Sequence, residues 1–239
     1  MCIRDRNSKE IILAIDSTDI EEVKNILDEL APVISNVKIG PISFLSNYRS
    51  ILDLIKSFNF SIMFDFKFFD IPNTMAESLD FLFRNNINIF TVHSLAGPAS
   101  LSLLNQKLIE KEQSFGIKKP KMFCVSILTS FDQSEMNAIG LSGTIKDNIL
   151  NLVESSINAG ADGIVCSGHE ISLIRENFGD KIEILVPGIR FNSDDGDQKR
   201  VISPRLAFEK GANYIVLGRT VTESKNRKDK LNDIIKSLK

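Results

Sequence analysis

The chain has 239 residues, 43% of them hydrophobic and 25% charged, which is typical of a globular protein with one large core. Its formal net charge of −2 gives no overall basic field, so the composition argues against nucleic acid as a partner. No apolar run is long enough to predict a membrane-spanning helix, so no membrane partner is expected either.

The cysteines and histidines bear on compartment and metal binding. Cys2, Cys124 and Cys166 are an odd number without metal or redox spacing, and this favours a cytoplasmic protein with reduced thiols. His93 and His169 lie far apart and match no zinc pattern, so no metal site is predicted. We interpret residues 1–8 as an uninformative leader and residues 9–239 as one catalytic domain.

Strand and helix patterns alternate along the whole chain. The predicted strands are 11–16, 37–40, 60–68, 89–94, 122–129, 163–167, 182–188 and 214–218. The predicted helices are 20–30, one that includes Phe44, Leu45, Ile51, Leu52 and Ile55, 73–84, 97–111, 145–159, 169–177, 204–210 and 228–238. Asp19 is the expected N-cap of the first helix.

The strand–helix unit occurs eight times, with no linker or change in composition that would divide the chain. This repetition predicts an α/β fold, a single-domain closed (β/α)8 TIM barrel. An open dinucleotide-binding sheet would show Gly-x-Gly-x-x-Gly after an early strand, and the sequence contains none there.

The third strand is unusual because its apolar run contains two opposite charges. Side chains alternate along a strand, so Asp65 and Lys67 share one face and the neighbouring phenylalanines share the other. Charges on a covered face are costly unless they pair with each other or bind a ligand. Asp70 follows closely, before Pro72 opens a helix. The cluster is either a structural ion pair or part of a site.

In a barrel of this type the functional site lies at the C-terminal ends of the strands. Each polar residue there is also compatible with an ordinary strand end, and His93 with a structural histidine. Their coincidence on one face favours a site. These residues are Asp16, Lys38, Asp65, Lys67, His93, Ser126, Thr129, Arg190 and Arg219.

The last two units predict a phosphate site. Pro187-Gly-Ile-Arg190 and Gly218-Arg219 follow strands seven and eight, where barrels often bind phosphate through backbone N–H groups and a cationic side chain. The polar segment 192–199 between these units fits either a mobile lid or a plain surface loop.

With these residues assembled, the chain resembles the orotidine 5′-phosphate decarboxylase family, which makes UMP, and is most similar to its compact bacterial form. The segment 65–74 is similar to the family signature Asp-x-Lys-x-x-Asp-Ile-Pro-x-Thr, and the similarity spans nearly the whole barrel. Phe69 departs from the histidine that many bacterial members have at that position.

The resemblance implies a role for each matching residue and a cofactor-free decarboxylation of orotidine 5′-monophosphate to UMP. Lys67 would protonate C6 of the pyrimidine, and Lys38, Asp65 and Asp70 would complete the charged array. The substrate-binding residues would be Asp16 and Lys38 at the ribose, Thr129 near the base, Pro187, Arg190, Gln198, Gly218 and Arg219 on the phosphate side, and Ile71 and Thr74. Asp70, Ile71 and Thr74 would reach the neighbouring subunit's site, so the resemblance implies a homodimer.

Two alternatives remain open at this point. Hexulose-phosphate synthase and keto-gulonate-phosphate decarboxylase resemble the Asp-x-Lys-x-x-Asp core but use Mg²⁺, and the continuation Ile71-Pro-Asn-Thr74 favours the pyrimidine substrate over them. A nucleotide-binding barrel without turnover would have little use for the crowded charges at Asp65, Lys67 and Asp70.

Overall fold

A computed structural model describes residues 10–48, 50–190 and 202–238. Within these ranges the strands are β1 Ile11–Ile15, β2 Asn36–Ile39, β3 Ser61–Phe68, β4 Ile89–His93, β5 Lys121–Val125, β6 Gly163–Val165, β7 Glu183–Val186 and β8 Tyr214–Leu217. The α-helices are α1 Ile20–Leu30, α2 Pro41–Asn47, α3 Ile51–Ser57, α4 Pro72–Arg84, α5 Pro98–Phe115, α6 Gln133–Ala138, α7 Ile145–Asn158, α8 Ile171–Phe178, α9 Pro204–Glu209, α10 Arg219–Thr222 and α11 Arg227–Ser237.

The strands close into a parallel barrel in chain order, β1 through β8. Closure comes from β1, whose Leu13 is aligned with Val37 of β2 on one side and with Leu217 of β8 on the other. The predicted single-domain (β/α)8 TIM barrel is therefore confirmed. All strands run the same way, so their C-terminal ends meet at one mouth.

Two apolar layers stabilise this barrel. The outer layer lies between the strands and helices, and alternate strand residues fill the barrel interior. The buried interior residues are Ile12, Ala14, Met63, Ile89, Phe123, Val125, Val165, Leu185 and Val216. Because the interior is filled, a ligand at the C-terminal mouth lies above these side chains rather than among them.

Two helices begin with capping residues that can be recognised in the sequence. Asp19 accepts a hydrogen bond from the backbone N–H of Glu21, which confirms its predicted capping role. The short helix α6 was missed, although Asp132 and Glu135 form a capping box at its start. The spacing Asp-x-x-Glu was the available signal for this helix.

Several predicted boundaries were wrong; α5, for example, ends at Phe115 rather than residue 111, and β6 ends at Val165 rather than residue 167. Strand β5 ends at Val125 rather than residue 129, and Ser126–Thr129 turn toward the mouth. Strand β7 ends at Val186, because Pro187 has no N–H to donate and Gly188 adopts a φ of 72°. The single helix expected around Phe44 and Ile51 is two helices, α2 and α3, and Leu45 is 70% exposed.

Two predicted regions lie outside the described residues: the leader 1–8, and the loop 192–199 with Gln198. Among the helices that the structure describes, none combines the length and apolar character needed to cross a membrane.

Candidate active site

A cavity of about 270 Å³ opens at the C-terminal mouth of the barrel. Its walls bring together residues that lie as far apart in the chain as β1 and α10. The predicted site residues that line it are Asp16, Lys38, Asp65, Lys67, Thr129, Pro187, Arg190, Gly218 and Arg219.

The floor of this cavity is apolar. Ala14, Met63, Val165, Leu185 and Val216 all line it, and all belong to the buried barrel interior. The sequence analysis did not assign these residues to the site, although their alternation along the strands was a usable signal. The arrangement suits a flat, partly apolar group set beneath charged walls.

The charges at the mouth are organised around one carboxylate. Asp65 Oδ1 lies 2.9 Å from Lys67 Nζ, and its Oδ2 lies 3.4 Å from Lys38 Nζ. Lys38 Nζ is also 3.4 Å from Oδ1 of Asp16. The side chain of Asp65 is only 13% exposed and that of Lys67 is 40% exposed. A buried carboxylate thus holds one ammonium that solvent or a ligand can reach.

Burial raises the pKa of Asp65, but the charges of Lys38 and Lys67 and the hydrogen bonds from Lys67 and Thr91 outweigh this effect. The net result is a pKa below the ordinary aspartate value. Asp65 is therefore ionised at neutral pH and can hold both ammonium groups.

The sequence analysis missed Thr91, the polar residue in the middle of β4. Its Oγ1 lies 3.0 Å from Asp65 Oδ1 and accepts the backbone N–H of Lys67 at 2.9 Å. It is 1% exposed. Its hydroxyl inside an otherwise apolar strand was the only sequence signal, and such a residue is more often structural.

Asp70, Ile71 and Thr74 do not line the cavity that the described residues form. All three are exposed, and Asp70 Oδ1 accepts the backbone N–H of Ile71 at 2.7 Å. Ile71 is 66% exposed and the adjacent Phe69 is 65% exposed. Within a single chain Asp70 therefore does not join Asp65 and Lys67 at the cavity, and its expected place in the neighbouring subunit's site stays a prediction.

Two arginines mark the side of the mouth formed by β7 and β8. Arg190 Nη1 lies 3.3 Å from Thr220 Oγ1, and its backbone N–H donates to the carbonyl of Ile202 at 3.1 Å. Arg219 starts α10 directly after Gly218. Both arginines line the cavity, and we call this side of the mouth the cationic wall.

His93 and Ser126 have structural contacts at the same end of the barrel. His93 Nδ1 accepts the N–H of Leu95 at 3.3 Å, and burial together with the charge of Lys67 lowers the pKa of its imidazole. The buried Ser126 hydroxyl donates to the carbonyl of Val165 at 3.1 Å. Neither residue lines the cavity. The interpretation of His93 as a structural histidine fits these contacts.

In the part of the chain that the structure describes, no three His, Cys, Asp or Glu side chains are grouped so that they could hold a metal ion. The two cavity carboxylates, Asp16 and Asp65, both face ammonium groups. The charged side chains that line the mouth are thus mainly cationic, which suits an anionic ligand.

The chain is similar to known proteins along nearly its whole length. The family model "Orotidine 5′-phosphate decarboxylase / HUMPS family" matches residues 9–234. The orotidine 5′-phosphate decarboxylase of Buchnera aphidicola subsp. Schizaphis graminum is 36% identical over 236 residues, covering 98% of this chain and 97% of that one. The enzyme of that name from Prochlorococcus marinus (strain MIT 9215) is 33% identical over 237 residues, 98% of each chain. The crystal structure of orotidine 5′-phosphate decarboxylase from Lactobacillus acidophilus matches with a TM-score of 0.81 at 29% identity, over 96% of this chain and 99% of that chain.

Proposed function

Because the chain belongs to the orotidine 5′-phosphate decarboxylase / HUMPS family, we propose that it decarboxylates orotidine 5′-monophosphate to UMP and CO2. This reaction is the last step of de novo pyrimidine synthesis. The observation that best supports the proposal is the Asp65 carboxylate, which holds the ammonium groups of Lys67 and Lys38 at the mouth of a cavity.

The chemistry requires a fixed positive charge. When the bond from C6 to the carboxylate breaks, CO2 leaves and the electron pair stays on C6, where the ring offers no electron sink. An ammonium about 4 Å from that carbon stabilises the charge by about 4 kcal/mol at an effective dielectric constant near 20. In our proposal Lys67 supplies this charge, and its Nζ then gives a proton to C6 and becomes a neutral amine.

The remaining charges of the cluster position the substrate. Asp65 holds Lys67 from the buried side, which leaves the exposed side of the ammonium for C6. Asp16 and Lys38 bind the ribose hydroxyls, and Thr129 lies at the opposite side of the same cavity, where it contacts the base. Lysine has three donors, so Lys38 can contact both carboxylates and still donate to a hydroxyl.

The cationic wall binds the phosphate. Arg190 and Arg219 present guanidinium groups, and Gly188, which follows Pro187, and Gly218 let the backbone approach closely. Gln198, outside the described residues, completes this side in our proposal. Phosphate contacts far from C6 supply binding energy that orders the site around the reacting carbon.

The working unit in this proposal is a cytoplasmic homodimer that needs no metal or other cofactor. In this dimer the side chains of Asp70, Ile71 and Thr74 enter the cavity of the neighbouring subunit rather than that of their own chain. Asp70 joins the charged array there. Their exposure on one chain supports this, as does the exposed Phe69 beside them, since exposed apolar side chains mark protein interfaces.

A spectrophotometric decarboxylation assay with orotidine 5′-monophosphate, run with and without EDTA, tests this function. We expect turnover at the same rate in both conditions. Activity on a sugar phosphate that EDTA abolishes would instead support the Mg²⁺-dependent enzymes of the related barrel. Tight UMP binding without any decarboxylation would indicate a nucleotide-binding barrel and contradict the proposal.

A further inference from the structure

The backbone at Lys67 has a conformation that side chains other than glycine rarely adopt. Its φ is 48°, in the left-handed region. Among the described residues, the other non-glycine positions with positive φ are Asn59 and Asn86. Asparagine tolerates this region because its short side chain hydrogen-bonds locally, whereas lysine has no such means. Something outside the residue must therefore hold Lys67 in place.

The pairing of β3 with β4 shows what holds it. The register is regular up to Phe64 opposite Phe90, shifts, and resumes at Phe68 opposite Val92. In the shifted segment the backbone N–H of Lys67 donates to the side-chain Oγ1 of Thr91 at 2.9 Å. A side-chain oxygen thus satisfies the backbone donor of the displaced residue.

The same hydroxyl also contacts the carboxylate that binds the Lys67 ammonium. Thr91 Oγ1 donates to Asp65 Oδ1 at 3.0 Å, and Lys67 Nζ donates to that oxygen at 2.9 Å. The hydrogen bonds close a ring through three residues, in which the backbone and the ammonium of Lys67 are both tied to one point. Thr91 is 1% exposed, so water does not substitute for its hydroxyl.

We propose that Thr91 is a positioning residue that, through its hydroxyl, holds Lys67 in the left-handed conformation and aims its ammonium into the cavity. A hydroxyl suits this task because it accepts and donates at once. Valine has the same shape and neither capacity, while serine keeps both. The inference rests on the proposed function only in assigning a role in turnover to Lys67.

Thr91→Val and Thr91→Ser separate this role from simple packing. We expect Thr91→Val to lower kcat by about 10- to 100-fold, since a misplacement of about 1 Å in a reacting group has effects of that size. The Kd for UMP should change far less, because the phosphate and ribose contacts remain. Thr91→Ser should keep most of the wild-type kcat.

Ser156→Ala is the matched control. Ser156 is a buried hydroxyl on α7 that donates to the carbonyl of Leu152 at 2.7 Å and does not line the cavity. Its removal should leave kcat unchanged while lowering the melting temperature. If Thr91→Val folds poorly, Thr91→Ala removes the same hydroxyl, and we expect the same loss of kcat.

A crystal structure of Thr91→Val gives a readout independent of turnover. We expect the φ of Lys67 to leave the left-handed region, or its Nζ to separate from Asp65. Wild-type kcat in Thr91→Val, an equal loss in Thr91→Ser, or an unmoved Lys67 would each overturn the inference. A wild-type chain without decarboxylase activity would overturn the proposed function instead, and the Lys67 conformation would still test Thr91.

Discussion

The two ends of the barrel use buried and half-buried charges in opposite ways. At the N-terminal end, Lys119 contacts both oxygens of Asp162 at 3.0 and 2.8 Å. Lys121, the first residue of β5, contacts both oxygens of Glu183 at 2.7 Å and the Tyr214 hydroxyl at 3.2 Å. Among the described residues, each of these two lysines pairs with a carboxylate of its own, and we call them closed pairs.

At the C-terminal mouth the charges are shared rather than paired one to one. Asp65 is shared by Lys38 and Lys67, and Lys38 also reaches the half-exposed Asp16. The contacts of Lys38 are 3.4 Å long, longer than those at the other end. When two lysines share one carboxylate, some of their N–H donors remain for a ligand, because each ammonium group has three. Barrels generally place stability at one end and chemistry at the other, and here the sharing of one carboxylate between two lysines distinguishes the C-terminal mouth.

The largest expected difference between the ends is in turnover. Lys67→Ala should lower kcat by about 1,000-fold or more, because about 4 kcal/mol of charge stabilisation is lost together with the proton donor. UMP should still bind. Lys121→Ala removes an equally well-paired lysine and should leave kcat unchanged, while lowering the free energy of unfolding by about 1 kcal/mol for a pair that is one-third exposed.

Steady-state kinetics and urea unfolding of these two variants check that contrast. A near-normal rate in Lys67→Ala would mean that another group protonates C6. A large loss of kcat in Lys121→Ala would mean that the closed pairs also contribute to the chemistry.

The next effect concerns substrate capture. Arg219→Ala should lower kcat/KM by about 10- to 100-fold, as expected when a charge-assisted contact to phosphate is lost. The control is Arg205→Ala, which removes an exposed arginine that pairs with Glu209 on α9 and lies away from the cavity. Equal kcat/KM values in the two variants would argue against a phosphate at this wall.

A smaller effect is expected at Gly168. A Cβ there would lie 2.3 Å from Cγ2 of Ile202, whose carbonyl accepts the backbone N–H of Arg190. Gly168→Ala should therefore displace Ile202 and raise KM several-fold through Arg190, with less change in kcat. Gly116→Ala strains a helix end with no neighbour within 4 Å and serves as the control. An unchanged KM in Gly168→Ala would show that Arg190 tolerates this shift.

The smallest expected effect is a difference between the two ends in how their charged groups make stability depend on pH. Burial lowers the pKa of Lys121, but the hydrogen bonds that it donates to Glu183 and Tyr214, together with the charges of these groups, raise the pKa by more, so the net pKa is raised. Its stabilising contribution should be lost as pH rises above about 10.5, through the raised folded-state value. Asp65 has a lowered pKa, so its contribution should be lost as pH falls below about 4.

Unfolding free energies measured across pH check both signs. Lys121→Met should flatten the alkaline decline and leave the acid limb unchanged, and Asp65→Asn should do the reverse. An acid limb that Asp65→Asn leaves unaltered would mean that other carboxylates determine the acid sensitivity.

Much of the site's layout could be predicted because strand geometry is local. Alternation alone placed Asp65 and Lys67 on one face, and the structure pairs them at 2.9 Å. The same rule placed Phe64 and Phe66 together on the other face, where their rings stack at 4.1 Å. Strand ends were less predictable, because they depend on hydrogen bonds from neighbouring strands rather than on the residues themselves.

By itself the sequence determined the barrel, since eight repeats of a short apolar strand followed by a helix favour a closed (β/α)8 fold. It also placed Asp65 and Lys67 at the mouth, but it placed Asp70 there too. Only the tertiary structure decided that Thr91 of β4 meets Lys67 and Asp65 of β3, and that Asp70 lies outside its own cavity. The contacts of Thr91 arise from a register shift between β3 and β4, and the position of Asp70 arises from the direction that the chain takes after β3. Neither can be read from a local sequence pattern, which is the physical reason that the sequence did not predict them.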